Sequence, residues 1–315
     1  MSMKDLLILG GGPAGAAAAV YASRKKITAT IVTNEWGGQS TVSTDVQNWI
    51  GTPHIAGEDI AKSLKAHVAE YAADVLEVIE NDTVVSLKEI DGGFEVATQK
   101  GATLQGRTVL VCTGSSRRQL EAPGAERLNH KGISYCASCD APLFGGVDVV
   151  VIGGGNSGFE SALQLLAYAT KVTLLERGPA FKADPVTVEH ALANEKMEAI
   201  TNASIKEIQG ESFVEGVVYT DADGADHTLK VGGVFVEIGS IPNSEFAKGL
   251  VETNTIGEIV VDPKTQRASL RGLPAGRQGI WAAGDVADGL FKQNNISMGD
   301  AVKALEDIYL YLQKI

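Results

Sequence analysis

Two cysteines separated by two residues stand in Ser134-Tyr135-Cys136-Ala137-Ser138-Cys139-Asp140. A glycine fingerprint, Gly10-x-Gly12-x-x-Gly15, lies near the start of the chain, and a second, Gly153-x-Gly155-x-x-Gly158, follows fourteen residues after Cys139 (153 − 139). A close thiol pair can close reversibly into a small ring, and a helix start can lower the pKa of one thiol. A G-x-G-x-x-G turn between a strand and a helix can cradle a pyrophosphate. Together they point to a dithiol that exchanges electrons with a nucleotide-borne redox centre. Asp140, directly beside Cys139, is a candidate proton donor; its plainer role is a capping carboxylate at a helix start. Zinc would need two further ligands, but the third cysteine, Cys112, falls in an expected buried strand. His54, His67, His130, His190 and His227 lack ligand spacing. No metal is therefore expected, and two inert thiols are the remaining alternative.

Each fingerprint has the context it needs. In the first, Gly10 permits the tight turn, Gly12 leaves room for pyrophosphate, and Pro13 and Ala14 start the helix. Gly15 lets helix and strand pack closely. The acid expected after the next strand is displaced: Glu35 is late, and Asn34 could bind the ribose instead. Gly284-Asp285 follows a late apolar strand, where the carboxylate could accept hydrogen bonds from a chain of hydroxyls. In the second fingerprint Asn156 and Ser157 open the helix, and the following strand ends at Glu176. That carboxylate suits the 2′ and 3′ hydroxyls of NADH and repels a 2′-phosphate. Arg177 and Lys182 leave NADPH open.

The positioning elements can be read from the apolar runs. Strand 6–9, helix 13–24 and strand 27–32 form one strand–helix–strand unit, and 147–152, 156–167 and 171–175 repeat it. The spacing of 143 residues (153 − 10) indicates two related domains rather than short repeats. Strand-rich stretches follow each unit, 83–112 and 204–237. Strands at 259–261 and 279–283 and a helix over 297–312 complete the chain. Thr113-Gly114-Ser115-Ser116 and Gly239-Ser240-Ile241-Pro242-Asn243 read as two crossings between domains, a candidate hinge, or as ordinary strand-end turns. The run 273–279 reads as a surface loop. The expected fold is α/β: two Rossmann-like, three-layer ββα nucleotide-binding domains, the second inserted into the first. Its domains are 1–115 with 244–315, and 116–243.

Bulk properties agree with this. The chain has 315 residues, ample for two domains, and its 36 glycines suit close backbone approach to nucleotides. A net charge of −12 argues against nucleic-acid and anionic-membrane surfaces. No apolar run reaches the roughly 20 residues a membrane helix needs. The absence of a targeting segment and the odd cysteine count lead to an expected cytoplasmic location.

These motifs, in this order, closely resemble the low-molecular-weight thioredoxin reductase family and the reductase portion of the alkyl hydroperoxide reductase flavoprotein. The resemblance rests on Gly10 to Gly15, Gly37-Gly38-Gln39, Asn48-Trp49, Thr113-Gly114, Cys136 to Asp140, Gly153 to Gly158, Ile238 to Asn243 and Gly284-Asp285. It implies FAD in the first domain, a nicotinamide nucleotide in the second, and a homodimer. It also implies that Gly38, Gln39, Asn48, Thr113, Gly114, Gln293 and Asn294 belong to the flavin site. By the same resemblance Cys139 faces the flavin, Cys136 attacks the disulfide of thioredoxin or a similar protein, and Asp140 is the general acid. The second site departs from NADPH-using relatives, because Glu176 and Gly178 flank a single Arg177. That favours NADH, as in the peroxide-system flavoprotein, though the sequence shows no N-terminal thioredoxin-like domain of the kind such flavoproteins carry. Lys292 to Ile296 departs from the usual run of small residues. A reductase fed by ferredoxin or another donor, with a non-functional nicotinamide site, and a nucleotide-binding redox sensor stand as alternatives.

Overall fold

The computed structural model describes residues 3–43, 45–72, 74–271 and 278–315. They group into two compact units, one of 1–44, 49–116 and 241–315, the other of 45–48 and 117–240.

In the first unit, β1 (Lys4–Gly11) leads through the fingerprint into α1 (Pro13–Arg24), and β2 (Ala29–Trp36) follows. After α2 (Gly57–Ala72) come β3 (Leu76–Glu80), β4 (Val84–Ile90), β5 (Gly93–Thr98) and β6 (Thr103–Val111). Strands β3, β2, β1 and β6 lie side by side, all parallel. The start of β6 pairs antiparallel with β5, and β5 with β4, which makes a three-stranded meander.

The chain crosses at β7 (Ser115–Arg117) into the second unit. There α3 (Ala125–Leu128), β8 (Ile133–Ser134) and α4 (Ala137–Asp140) precede β9 (Asp148–Ile152) and α5 (Asn156–Leu165). Next come β10 (Lys171–Leu175), α6 (Pro185–Leu192) and β11 (Met197–Ile200). An antiparallel meander of β12 (Ser204–Gln209), β13 (Gly216–Thr220) and β14 (Asp226–Lys230) precedes β15 (Gly233–Val236). The parallel order is β11-β10-β9-β15-β8. The return crossing is β16 (Ser240–Pro242), which pairs with β7. Finally β17 (Ile280–Ala282) adds to the far half of β6, and α7 (Asn294–Leu312) closes the chain.

Why each unit has three layers follows from the alternation of its strands. Successive side chains point to opposite faces, and a strand covered on both sides is apolar throughout. Leu6 and Ile8 of β1 face a core shared with α1 and α7, while Leu7 and Leu9 face the meander residues Phe94, Val96 and Leu104. In the second unit Val149 and Val151 meet Phe159, Ala162 and Leu165 of α5. Val150 and Ile152 meet Ile208, Val217 and Tyr219. Each unit is a parallel sheet between a helical layer and an antiparallel meander, the ββα arrangement expected.

Local differences from expectation are few. Residues 259–261 form only isolated bridges, Ile259 to Thr253 and Ala287, and Val261 to Ala268, rather than a strand. A short apolar run was present there, but among the described residues no neighbouring strand supplies a continuous ladder. Helix α7 begins at Asn294, three residues earlier than the apolar period indicates, because its first turn is polar. Of the loop expected at 273–279, residues 273–277 lie outside the described residues. Among the described residues, no helix is long and apolar enough to cross a membrane.

Candidate functional site

The first fingerprint divides its glycines by job. A Cβ on Gly15 would lie 1.8 Å from the Gly10 carbonyl oxygen, and one on Gly10 would lie 2.2 Å from that of Cys112. Gly10 also takes φ +115°, a region that favours glycine. These two glycines are needed for the fold of the turn. Gly12 is different: its φ is an ordinary −69°, and a Cβ there would meet nothing within 4 Å. Nothing among the described residues requires that glycine, so the open space before the amides of α1 fits a ligand that comes close to the backbone, as a pyrophosphate does.

Other expected flavin-site residues gather around this turn. A Cβ on Gly38 would have the Gly12 Cα as its nearest neighbour, at 3.6 Å. Gln39 donates from Nε2 to the Ser115 carbonyl. Ser40 donates to the Asn294 Oδ1 at 2.9 Å, which ties the 3-10 turn Gly38–Val42 to the start of α7. A Cβ on Gly284 would touch Ala14 and Ser297, both at 3.3 Å, so the Gly284-Asp285 turn sits between the starts of α1 and α7. Gln293 is the N-cap residue of α7. Its amide end favours negative charge. Thr113 and Gly114 are held by Asn243: Thr113 Oγ1 donates to its carbonyl at 2.7 Å, and its backbone N–H donates to the Gly114 carbonyl at 3.0 Å. Asn34 and Glu35 lie exposed at the end of β2. Asn48 groups with the second unit, through the segment Asp45–Asn48.

The second fingerprint repeats the division. A Cβ on Gly158 would lie 1.8 Å from the Gly153 carbonyl oxygen, and Gly153 takes φ +119°. Gly155 again has nothing within 4 Å of a Cβ position. Glu176 directly follows β10, with both carboxylate oxygens on backbone amides: Gly154 N–H donates to Oε2 at 2.7 Å, Gly178 N–H to Oε1 at 2.6 Å. The acid is thereby fixed beside the fingerprint turn, and each oxygen keeps a further lone pair for a ribose hydroxyl. Arg177 and Lys182 are exposed. The Lys182 N–H donates to the Gly154 carbonyl at 2.8 Å, and the Asp184 N–H to Asn156 Oδ1 at 2.8 Å, so the loop after β10 is latched across the turn. Asn156 thus supports the loop through its side chain. Ser157 is exposed in the first turn of α5.

In the same unit Cys136 and Cys139 form a disulfide, with Cα atoms 5.3 Å apart. Cys136 is the N-cap residue of α4, and its carbonyl accepts the Cys139 and Asp140 N–H groups at 3.2 and 3.0 Å. Both cysteines are half-buried. Asp140 lies at the end of α4 and does not cap it with its side chain. Instead Ser134 Oγ donates to Asp140 Oδ2 at 2.6 Å and accepts from the Cys136 N–H at 3.1 Å. One hydroxyl therefore joins the acid to the backbone of the first cysteine. Sequence reasoning assigned Ser134 no role. The signal available was its place two residues before the dithiol, but the contact depends on the turn at Cys136. Cys112 is buried behind the first fingerprint, and burial pushes its thiol far up, which makes it inert. Among the described residues no cluster of three or more His, Cys, Asp or Glu could hold a metal.

Comparison with known proteins agrees with this geometry. A family profile described as pyridine nucleotide-disulphide oxidoreductase matches residues 4–304. The chain is 39% identical over 309 residues to an NADH dehydrogenase of Bacillus subtilis (strain 168), covering 98% of this chain and 58% of that protein. It is 38% identical over 310 residues to an alkyl hydroperoxide reductase component of Escherichia coli (strain K12), with the same coverages. The chain thus spans less than two thirds of the length of these curated relatives. Among solved structures, thioredoxin reductase from Streptococcus pyogenes MGAS5005 aligns with a TM-score of 0.87 at 32% identity, covering 99% of both chains.

Proposed function

Since the chain belongs to the pyridine nucleotide-disulphide oxidoreductase family, we propose that it is a flavin-dependent disulfide reductase of thioredoxin reductase type. In this reading electrons come from a nicotinamide nucleotide, NADH in preference to NADPH, and leave through Cys136 and Cys139 to thioredoxin or a similar protein disulfide. The observation that carries the reading is the Cys136–Cys139 disulfide with Asp140 and Ser134 around it, in the same unit as a nucleotide fingerprint. We assign FAD to the domain of 1–115 and 244–315, and the nucleotide and dithiol to 116–243. The working form we assign is a homodimer in the cytoplasm.

Bound FAD would supply a two-electron centre between the nicotinamide and the disulfide. The protein's residues do the rest. Gly12 leaves room for the FAD pyrophosphate, with the α1 amides facing it, and Gly38, Gln39, Gly284, Asp285 and the start of α7 surround that place. Gly155 does the same for the nucleotide, and Glu176 takes its ribose hydroxyls. Two electrons and two protons open the Cys136–Cys139 bond into two thiols. The Cys136 thiol passes its proton to Asp140, and the resulting thiolate attacks the partner's disulfide, forming a mixed disulfide and expelling one partner thiolate, to which Asp140 returns that proton. Cys139 attacks the Cys136 sulfur, releases the second partner thiol and restores the ring. Glu176 supports NADH, since a carboxylate fixed by two amides repels a 2′-phosphate. The Bacillus subtilis relative, an NADH dehydrogenase by name, supports it as well.

Anaerobic mixing of the purified yellow protein with NADH or NADPH, followed by thioredoxin, tests this reading. Fast bleaching by NADH followed by reduction of the added disulfide is the expected result. Bleaching by neither nucleotide would overturn the donor, and bleaching without disulfide transfer would overturn the reductase.

A further inference from the structure

One titratable group in the second unit has no part in the mechanism above. Glu237 directly follows β15, and its backbone N–H donates to the Ile152 carbonyl at 2.8 Å, at the end of β9. Its own carbonyl backs the fingerprint: a Cβ on Gly153 would lie 2.3 Å from it. Strands β9 and β15 are the neighbours between which the strand order reverses, and ligands of open α/β sheets bind at that crevice, outside the carboxyl ends of the strands. Val234 and Val236 face the meander core and Phe235 the helical core, so alternation directs Glu237 to the side of α5. There its Oε1 accepts a 2.6 Å hydrogen bond from Ser161, on the fingerprint helix.

The two halves of the crevice carry different ends of a dinucleotide. Glu176 at the end of β10 marks the adenosine half, which leaves the nicotinamide for the half over β15. From this placement we propose that Glu237 is a specificity residue for the redox state of the nicotinamide, its carboxylate favouring the cationic oxidised ring over the neutral reduced ring. The inference rests on the assignment of a nicotinamide nucleotide to this site. A ring that gives up a hydride becomes positively charged, so a nearby carboxylate both favours that loss and slows release of the oxidised product. Protonation of Glu237 removes the bias.

The groups that face Glu237 set the pH at which this happens. Burial pushes its carboxyl up to about 7, Ser161 and Arg117 hold it down, and Glu160 on α5 raises it. The Arg118 side chain lies beside Gly239, two residues further on. The bias therefore switches on as pH rises through about 7.

The test is equilibrium binding of two probes to the flavin-loaded full chain. One is NAD+; the other is tetrahydro-NAD, whose ring is neutral and gives no hydride. For the wild type, the ratio of the tetrahydro-NAD Kd to the NAD+ Kd should rise about three- to tenfold between roughly pH 6 and pH 8.5, as expected for unit charges about 4 Å apart with water-like screening. In Glu237→Gln the ratio should stay flat. In Ser161→Ala, which keeps the carboxyl and removes a hydrogen bond that lowers its pKa, the midpoint should move to higher pH. A flat ratio in the wild type, or the same step in Glu237→Gln, would overturn the inference and leave the donor assignment standing. Failure of both probes to bind at any pH, with flavin retained, would overturn the donor assignment and this inference with it.

Discussion

Replacing Glu237 by Gln should stabilise the protein above neutral pH and do little in acid. The side chain keeps its shape, and an amide oxygen can still accept the Ser161 hydrogen bond. What disappears is the cost of a charge held in a partly buried place. The folded carboxyl titrates near 7 against an ordinary 4.5. At about 1.4 kcal/mol per pH unit this gap corresponds to about 3 kcal/mol. The sign follows from linkage: a carboxyl raised in the folded state contributes stability that is fully present below about 4.5 and is lost as pH rises through about 7. The wild type therefore suffers the whole loss at pH 8, and the Gln variant none. Urea unfolding of both flavin-loaded proteins should show a gain of about 3 kcal/mol for the variant at pH 8, falling below about 1 kcal/mol at pH 5. In thermal melts this is a Tm rise of roughly 5–10 °C at the higher pH. A gain of equal size at both pH values would assign the effect to packing, and no gain at pH 8 would refute the electrostatic argument.

Further outcomes follow from the two sites. Cys136→Ser should retain flavin bleaching by the nucleotide and lose disulfide turnover, read by stopped-flow absorbance and thioredoxin reduction; undiminished turnover would remove Cys136 from its role. Gly12→Val should fold, because its φ is ordinary and the space is open, yet lose bound flavin by absorbance. Gly15→Val should fail to fold, since even a Cβ would lie 1.8 Å from the Gly10 carbonyl oxygen. Ser134→Ala should slow disulfide turnover roughly tenfold, the size of one lost charge-assisted hydrogen bond, and change its pH profile while flavin bleaching stays the same. An unchanged pH profile would reduce Ser134 to a structural contact.

Much of the fold could be read in the sequence because its signals are local. The helix Pro13–Arg24 and the strand Lys171–Leu175 have the bounds their apolar runs indicate, since a glycine turn before the helix and buried runs in the strand leave few alternatives. Residues 259–261 show the limit: a short apolar run suggests a strand, but only a partner ladder makes one. Helix α2, to which the sequence reading assigned no element, carries Ile60, Leu64 and Val68 at a spacing of four and buries Ile60 and Val68, a helical period that was present in the chain. Within the dithiol the spacing of Cys136 and Cys139 suggested the ring, whereas the capping role considered for Asp140 gave way to its bond with Ser134.

The sequence by itself determined the two fingerprints, the ββα layering and the pair of thiols. Each is written in glycine spacing, strand alternation or nearest-neighbour chemistry, and none requires knowledge of what lies across the fold. Tertiary structure supplied the contacts behind the division of the fingerprint glycines, because the Cβ positions of Gly12 and Gly15 differ only in what surrounds them. It also decided that Glu176 is held by Gly154 and Gly178, and that Glu237 meets Ser161, 76 residues away, at the point where the strand order reverses. A carboxylate's charge and reach are set by its residue type. Its partners, and so the pH at which it is charged, are set by the elements that pack around it.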